Sequence, residues 1–422
     1  MTHETIERLE SEVRSYSRVW PATFATARGS RIWDVDGNAY LDFFAGAGAL
    51  NYGHNDPTIK QALLDYLAED NIVHSLDTTT VAKLRFLERF EEVILKPRGL
   101  DHKIAFPGPT GANAVELAMK LARKITGREQ IVGFTNAFHG MTIGSLAVSG
   151  NHAKRQGAGV ALTSGTSMPY DGYFGDEVDT IAYLDSLLAD TGSGFEKPAA
   201  VIVETVQAEG GIQMASPEWL RALRVLCDEH GLLMIVDDIQ AGCGRTGTFF
   251  SFEPAGIDPD IITLSKSLSG FGLPLSITTM RRNLDELSPG DHNGTFRGSN
   301  PAFVTAATAL LNWEDPQFAD EIQRKADIVS EGLDALVAAN PEHVIERRGR
   351  GMLQGIECAE GIAKAVSTHA FELGLIIETS GPDDEVLKLL PALTISDDEL
   401  REGLDLIGQA ISNVVEKTPV AV

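Results

Sequence analysis

Short apolar runs recur through the middle of the chain, separated by stretches with a period near 3.6. Ile131-Val132-Gly133-Phe134, Ala199 to Val203, Leu232 to Val236 and Ile261 to Leu264 show no polar alternation. A strand exposed on one face alternates apolar with polar, whereas an unbroken apolar run fits a strand covered on both. Ala114 to Lys124 and Pro217 to His230 place their apolar residues at helical spacing. This order predicts an α/β protein with a mainly parallel sheet and helices on both faces. In such sheets ligands bind beyond the carboxyl ends of the strands.

The pattern changes toward the end of the chain. Pro301 to Trp313 reads as a helix leaving the central sheet and Phe318 to Ala339 as a long helix. His343 to Cys358 is strand-rich, and Gly361 to Gly374 and Asp397 to Ile411 are helical, which predicts a smaller α+β domain. Gly150 to Gly175, rich in glycine, serine and tyrosine, is expected to be a long loop over the site or a subunit interface. The tail from Glu416 to Val422 is expected to fray.

Two of the apolar runs deliver a charge. The run ending at Val236 leads into Asp237, and the run ending at Leu264 leads into Lys266. An isolated lysine at a strand end is usually a solvated surface group. An acid and an amine at two such ends suit pyridoxal 5'-phosphate (PLP) chemistry. There a lysine forms a Schiff base with the aldehyde, and a carboxylate keeps the pyridine nitrogen protonated. Gln240 could reach the ring hydroxyl. Partial burial would lower the Lys266 pKa and fit it for moving protons.

The phosphate needs backbone donors. Phe106 to Asn113 follows a short strand, Lys103 to Phe106, and opens the helix at Ala114. A helix start offers unpaired N–H groups, Thr110 adds a hydroxyl, and Gly111 permits close approach. An ordinary N-cap turn is the plainer reading of that stretch taken alone. Phe138-His139-Gly140 follows the strand Ile131 to Thr135, and Phe138 could cover one face of the ring. Gly242-Cys243-Gly244-Arg245-Thr246-Gly247 matches the dinucleotide fingerprint, but aromatic residues and Pro254 follow it where a helix should begin.

Composition narrows the partners. Sixty acidic against 35 basic residues give a formal charge of −25 over 422 residues. That field repels nucleic acid and anionic membranes, so neither is expected. No stretch approaches the apolar length of a membrane span, and the charged N-terminal segment lacks the apolar core of a signal peptide, which points to the cytoplasm. Three widely spaced cysteines and unclustered histidines predict neither a disulfide framework nor a metal site.

Several blocks together resemble the class III (ω-type) aminotransferases of PLP fold type I. They are Asp34 to Phe43 with Gly53-His54, the Thr110-Gly111 turn, Phe138-His139-Gly140, Glu204 to Gly211, Asp237 to Gln240, Ser265-Lys266 and Thr295 to Pro301. The resemblance implies a large, mainly parallel mixed-sheet domain over residues 61–312. A smaller α+β domain would be built from residues 1–60 and 313–422. It also implies that Lys266 carries the Schiff base, Asp237 pairs with the ring nitrogen and Gln240 contacts the ring hydroxyl. Thr110, Gly111 and Ala112 would hold the phosphate, with Phe138 stacked on the ring and His139 beside it. Thr295 would reach the phosphate in a neighbouring subunit, implying a homodimer or a larger assembly of dimers. Glu209 would be a switch carboxylate near the substrate.

Phe43 to Asn55 and Phe106 to Val115 further resemble the diaminobutyrate–2-oxoglutarate transaminases of ectoine biosynthesis. That implies amino-acid and oxo-acid substrates: L-glutamate with L-aspartate 4-semialdehyde, giving L-2,4-diaminobutyrate and 2-oxoglutarate. Other ω-aminotransferases, acting on ornithine, acetylornithine or 4-aminobutyrate, remain alternatives, as does a binding or regulatory protein without turnover. Three positions depart from the family pattern: Asn113 replaces a glutamate, Met141 an arginine, and Lys388 the arginine that grips a substrate α-carboxylate. Lysine lacks the planar fork of arginine. Glu209 is expected to pair with Lys388 until that carboxylate arrives; the competing reading of Lys388 is a surface lysine on an edge strand.

Overall fold

A computed structural model describes residues 2–175 and 177–416. Its centre is a seven-stranded sheet in the order His102–Ala105, Ile277–Arg281, Ile261–Leu264, Leu233–Asp237, Ala200–Val203, Ile131–Phe134, Gly165–Met168. Ile277–Arg281 runs antiparallel to both its neighbours, and the other pairs are parallel.

The unbroken apolar runs follow from cover on both faces. Val132, Phe134, Val201, Val203, Met234, Val236, Ile262 and Leu264 join one core with Leu220, Leu223 and Leu226 of the helix Pro217–His230. The alternate residues Ile131, Ile202, Ile235 and Ile261 join a second core with Val115, Ala118, Met119 and Ala122 of the helix Gly111–Thr126. Each fully buried aliphatic side chain contributes about 1.5–3 kcal/mol. That is strong pressure toward a sheet with no wet face.

Gly150 to Gly175 differs from the expected loop. It holds a helix, His152–Gln156, and the parallel edge strand Gly165–Met168. Main-chain pairing with Ile131–Phe134 overrides the weak strand signal of GTSM, which shows that edge strands need little apolar content.

A second sheet joins distant parts of the chain, since Phe24–Arg28, Arg31–Asp34 and Ala39–Asp42 are completed by Leu375–Ile376. A third has the order Val344–Arg350, Leu353–Cys358, Val386–Leu389, Glu378–Ser380. The helices Pro316–Ala339, Ile362–Glu372 and Asp397–Val415 share a core with it. The strand of Lys388 is therefore interior, and Lys388 is fully buried. The surface reading of this lysine is overturned because its neighbours supply the carboxylates it needs. Most of the expected fraying tail, residues 417–422, lies outside the described residues. No helix among the described residues is long and apolar enough to cross a membrane.

Candidate active site

The site is made of strand ends. Asp237 closes Leu233–Asp237, and Lys266 comes two residues after Leu264 on the adjacent parallel strand. Lys266 has φ +47°, a conformation that side-chain-bearing residues seldom adopt. The hydroxyls beside it hold the turn: Ser265 donates to Leu275 O at 2.8 Å and Ser267 to Gly48 O at 2.6 Å. Such strain persists only where its surroundings fix it.

Lys266 lines a cavity of about 170 Å³ with Gly111, Ala112, Phe138, His139, Gly140, Glu204, Asp237, Ile239 and Gln240. Residues from sequence-distant loops converge because their strands end at one edge of the sheet. Gly140 lets two of these loops meet. Its φ is +123°, and a Cβ there would stand 2.9 Å from the Cβ of Ala112.

Asp237 is tightly held. His139 Nδ1 lies 2.7 Å from its Oδ2, while Thr263 Oγ1 and the Ile239 N–H donate to its Oδ1 at 3.1 and 3.2 Å. Burial works against charge on His139, but the hydrogen bond and charge of Asp237, with Glu204, raise its pKa overall. Glu204, buried beside them, accepts from the Phe138 N–H at 2.8 Å; burial pushes its pKa up. His139 Nε2 is buried without a partner.

On the other side of Lys266, Lys388 Nζ stands 2.6 Å from Glu209 Oε1 and 3.1 Å from Glu378 Oε1. Tyr16 donates to Glu378 Oε2 at 3.1 Å, and Gln240 Nε2 donates to Ala47 O at 3.0 Å and to Glu209 Oε1 at 3.3 Å. Burial opposes charge on Glu209, Glu378 and Lys388 alike. Lys388 and Lys266 outweigh it at Glu209 and hold that carboxyl down at about 2. At Glu378 burial wins and the pKa rises. The two carboxylates outweigh burial at Lys388 and raise its pKa. Lys266 is lowered, burial exceeding the pull of Glu209.

Of the residues expected to hold the cofactor, two stand outside the cavity. Thr110 is exposed, and both its hydroxyl and its N–H donate to Asn113 Oδ1 at 2.9 and 3.1 Å. Thr295 is exposed too, its carbonyl 2.7 Å from His74 Nε2. The GCGRTG stretch forms turns rather than a helix start, and fully buried Arg245 Nη1 donates to Met352 O at 3.1 Å. Sequence reasoning assigned no role to Glu204, Tyr16 or Glu378. Glu378 was findable: Gly381-Pro382-Asp383-Asp384 is a turn signal, and pairing across it sets Glu378 directly opposite Lys388. Tyr16, at the start of the one-turn helix Tyr16–Val19, carries no such signal.

The residues present suit PLP. An amine, an acid, an aromatic face and the first N–H groups of a long helix surround one small cavity, matching an aldehyde, a pyridine nitrogen, a ring and a phosphate. The model of the family described as Aminotransferase class-III matches residues 14–411. A diaminobutyrate–2-oxoglutarate transaminase of Halalkalibacterium halodurans is 57% identical, covering 97% of this chain and 96% of that one. One from Streptomyces avermitilis is 58% identical over 96% of each. A solved ornithine aminotransferase of Toxoplasma gondii, with PLP at partial occupancy in its active site, superposes with a TM-score of 0.85. It is 27% identical, covering 98% of this chain and 94% of that one.

Proposed function

Because this chain belongs to the class III aminotransferases, PLP-dependent enzymes of fold type I, we propose that it interconverts L-glutamate plus L-aspartate 4-semialdehyde with 2-oxoglutarate plus L-2,4-diaminobutyrate. The observation that carries this reading is 57–58% identity, over nearly the whole chain, to transaminases of that name. The reaction would open ectoine synthesis in the cytoplasm.

When bound, PLP supplies an electron sink for charge that develops at the substrate carbon. The rest falls to the protein's own residues. Asp237, fixed by His139, Thr263 and Ile239, holds a proton on the ring nitrogen. Lys266 Nζ would anchor the cofactor and would move the proton at the reacting carbon; its lowered pKa favours the neutral amine that this requires. Gly111 and Ala112 would present the helix N-terminus to the phosphate, and Phe138 would cover the ring.

Glu209 closes on Lys388 while the substrate's reacting carbon bears no carboxylate, and yields Lys388 to the α-carboxylate of glutamate. Thr110 would serve the phosphate of its own chain, and Thr295 would reach the phosphate bound by a neighbouring chain. That is the reason to propose a homodimer. The division into residues 1–60, 61–312 and 313–422 belongs to the same proposal.

The test is incubation of the purified protein with 2-oxoglutarate and, separately, diaminobutyrate, ornithine, acetylornithine or 4-aminobutyrate, with products identified by mass. Glutamate should form fastest with diaminobutyrate. Preference for another amine would move the chain to that activity.

A further inference from the structure

The two amino donors of the proposed reaction share one feature and differ in another. In glutamate a carboxylate lies three bonds from the carbon bearing the reacting amine. In diaminobutyrate, counted from C4, a carboxylate again lies three bonds away. Only glutamate carries a second carboxylate on the reacting carbon. Glu209 and Lys388 deal with that difference, and neither is free to hold what the substrates share.

One cation is placed for the shared group. Lys154, on the short helix His152–Gln156, sets its Nζ 4.3 Å from the centroid of the Phe138 ring. Phe138 lines the PLP cavity, and Lys154 lines the adjoining groove of about 1260 Å³ together with Tyr16, Glu209 and Glu378. Its charge is felt at Glu209. Among the described residues no carboxylate pairs with its ammonium, and its backbone N–H donates to Asn151 Oδ1 at 3.0 Å. The other cations of the groove differ, for Arg18 is paired with Glu12, and Lys364 is exposed. Met141, where the family places an arginine, is apolar and largely solvent-facing.

We propose that Lys154 binds the substrate carboxylate three bonds from the reacting carbon in both half-reactions, and so sets the length of substrate the site accepts. The proposal rests on the transaminase reading above. An ammonium lying on an aromatic face retains donors that a carboxylate can take up, and as a point charge it tolerates the different approach of the two substrates.

The test compares each donor with the same molecule lacking that carboxylate: L-glutamate with L-2-aminobutyrate, and L-2,4-diaminobutyrate with 1,3-diaminopropane. In the Lys154→Ala holoenzyme, kcat/KM should fall about 10- to 100-fold for the carboxylate-bearing member of each pair and about twofold or less for the other. Lys154→Arg should recover part of the loss. Calorimetric binding of glutarate, which is glutamate without its amine, should weaken in Lys154→Ala by a similar factor and needs no turnover. An unchanged glutamate to 2-aminobutyrate ratio with unchanged glutarate affinity would overturn the proposal. The glutamate arm does not depend on the amine partner. A collapse of its ratio in an enzyme that ignores diaminobutyrate would sink the substrate reading and leave Lys154 standing.

Discussion

Two buried clusters of charge flank Lys266, and they are built on different plans. The Asp237–His139–Glu204 group rises from the ends of three neighbouring strands of one sheet, and each oxygen of Asp237 has its own donor. The Tyr16–Glu209–Glu378–Lys388 group is drawn from four separate segments and sets two carboxylates on one ammonium. Glu378 Oε1 lies 3.1 Å from Lys388 Nζ, farther than Glu209 Oε1 at 2.6 Å. In the first cluster three donors converge on the two oxygens of Asp237, which suits a group whose charge must not change. In the second an acid is in surplus, so one carboxylate can leave Lys388 without stranding a buried cation.

Removing the centre of the comparison has the largest effect. Lys266→Ala should lower amino transfer by about 10⁴-fold or more, since anchor and proton carrier vanish together; a deficit under tenfold would mean another group does the chemistry. Asp237→Asn keeps the shape and deletes the charge. It should cut kcat by about 10²- to 10³-fold, equally in both half-reactions, in single-turnover kinetics. Glu209→Ala should instead split the half-reactions, costing the diaminobutyrate side about 10-fold more than the glutamate side. Equal losses would erase the functional distinction between the clusters.

Stability separates them further. Lys388→Met leaves two carboxylates without their cation and should cost about 3 kcal/mol in urea unfolding, while protonation of Glu378 limits the damage. The smallest effect is in acid. Glu209 is held at about 2, below its ordinary 4.5, so its contribution is complete above pH 4.5 and is lost as pH falls toward 2. Glu209→Gln should flatten that limb of a stability–pH curve.

The legible parts of this protein were those whose physics is local. Covered strands write themselves as unbroken apolar runs, so Leu233–Asp237 and Ile261–Leu264 could be read with their terminal acid and amine. Ser216 and Gly231 bracket Pro217–His230 with ordinary caps. Gly165–Met168 was hidden because an edge strand leans on its neighbour's backbone rather than on its own side chains. Glu204 has no local signal, for its importance lies in burial beside a histidine 65 residues earlier in the chain. Tyr16 meets Glu378 across 362 residues, a contact that no local pattern encodes.

The proposed chemistry requires Lys266 Nζ to be the atom joined to PLP, with Asp237 facing the ring nitrogen. Borohydride reduction of protein purified with PLP, followed by digestion and mass analysis, tests this directly. The expected result is one pyridoxyl adduct, on the peptide containing Lys266. An adduct on another lysine, or none, would contradict it.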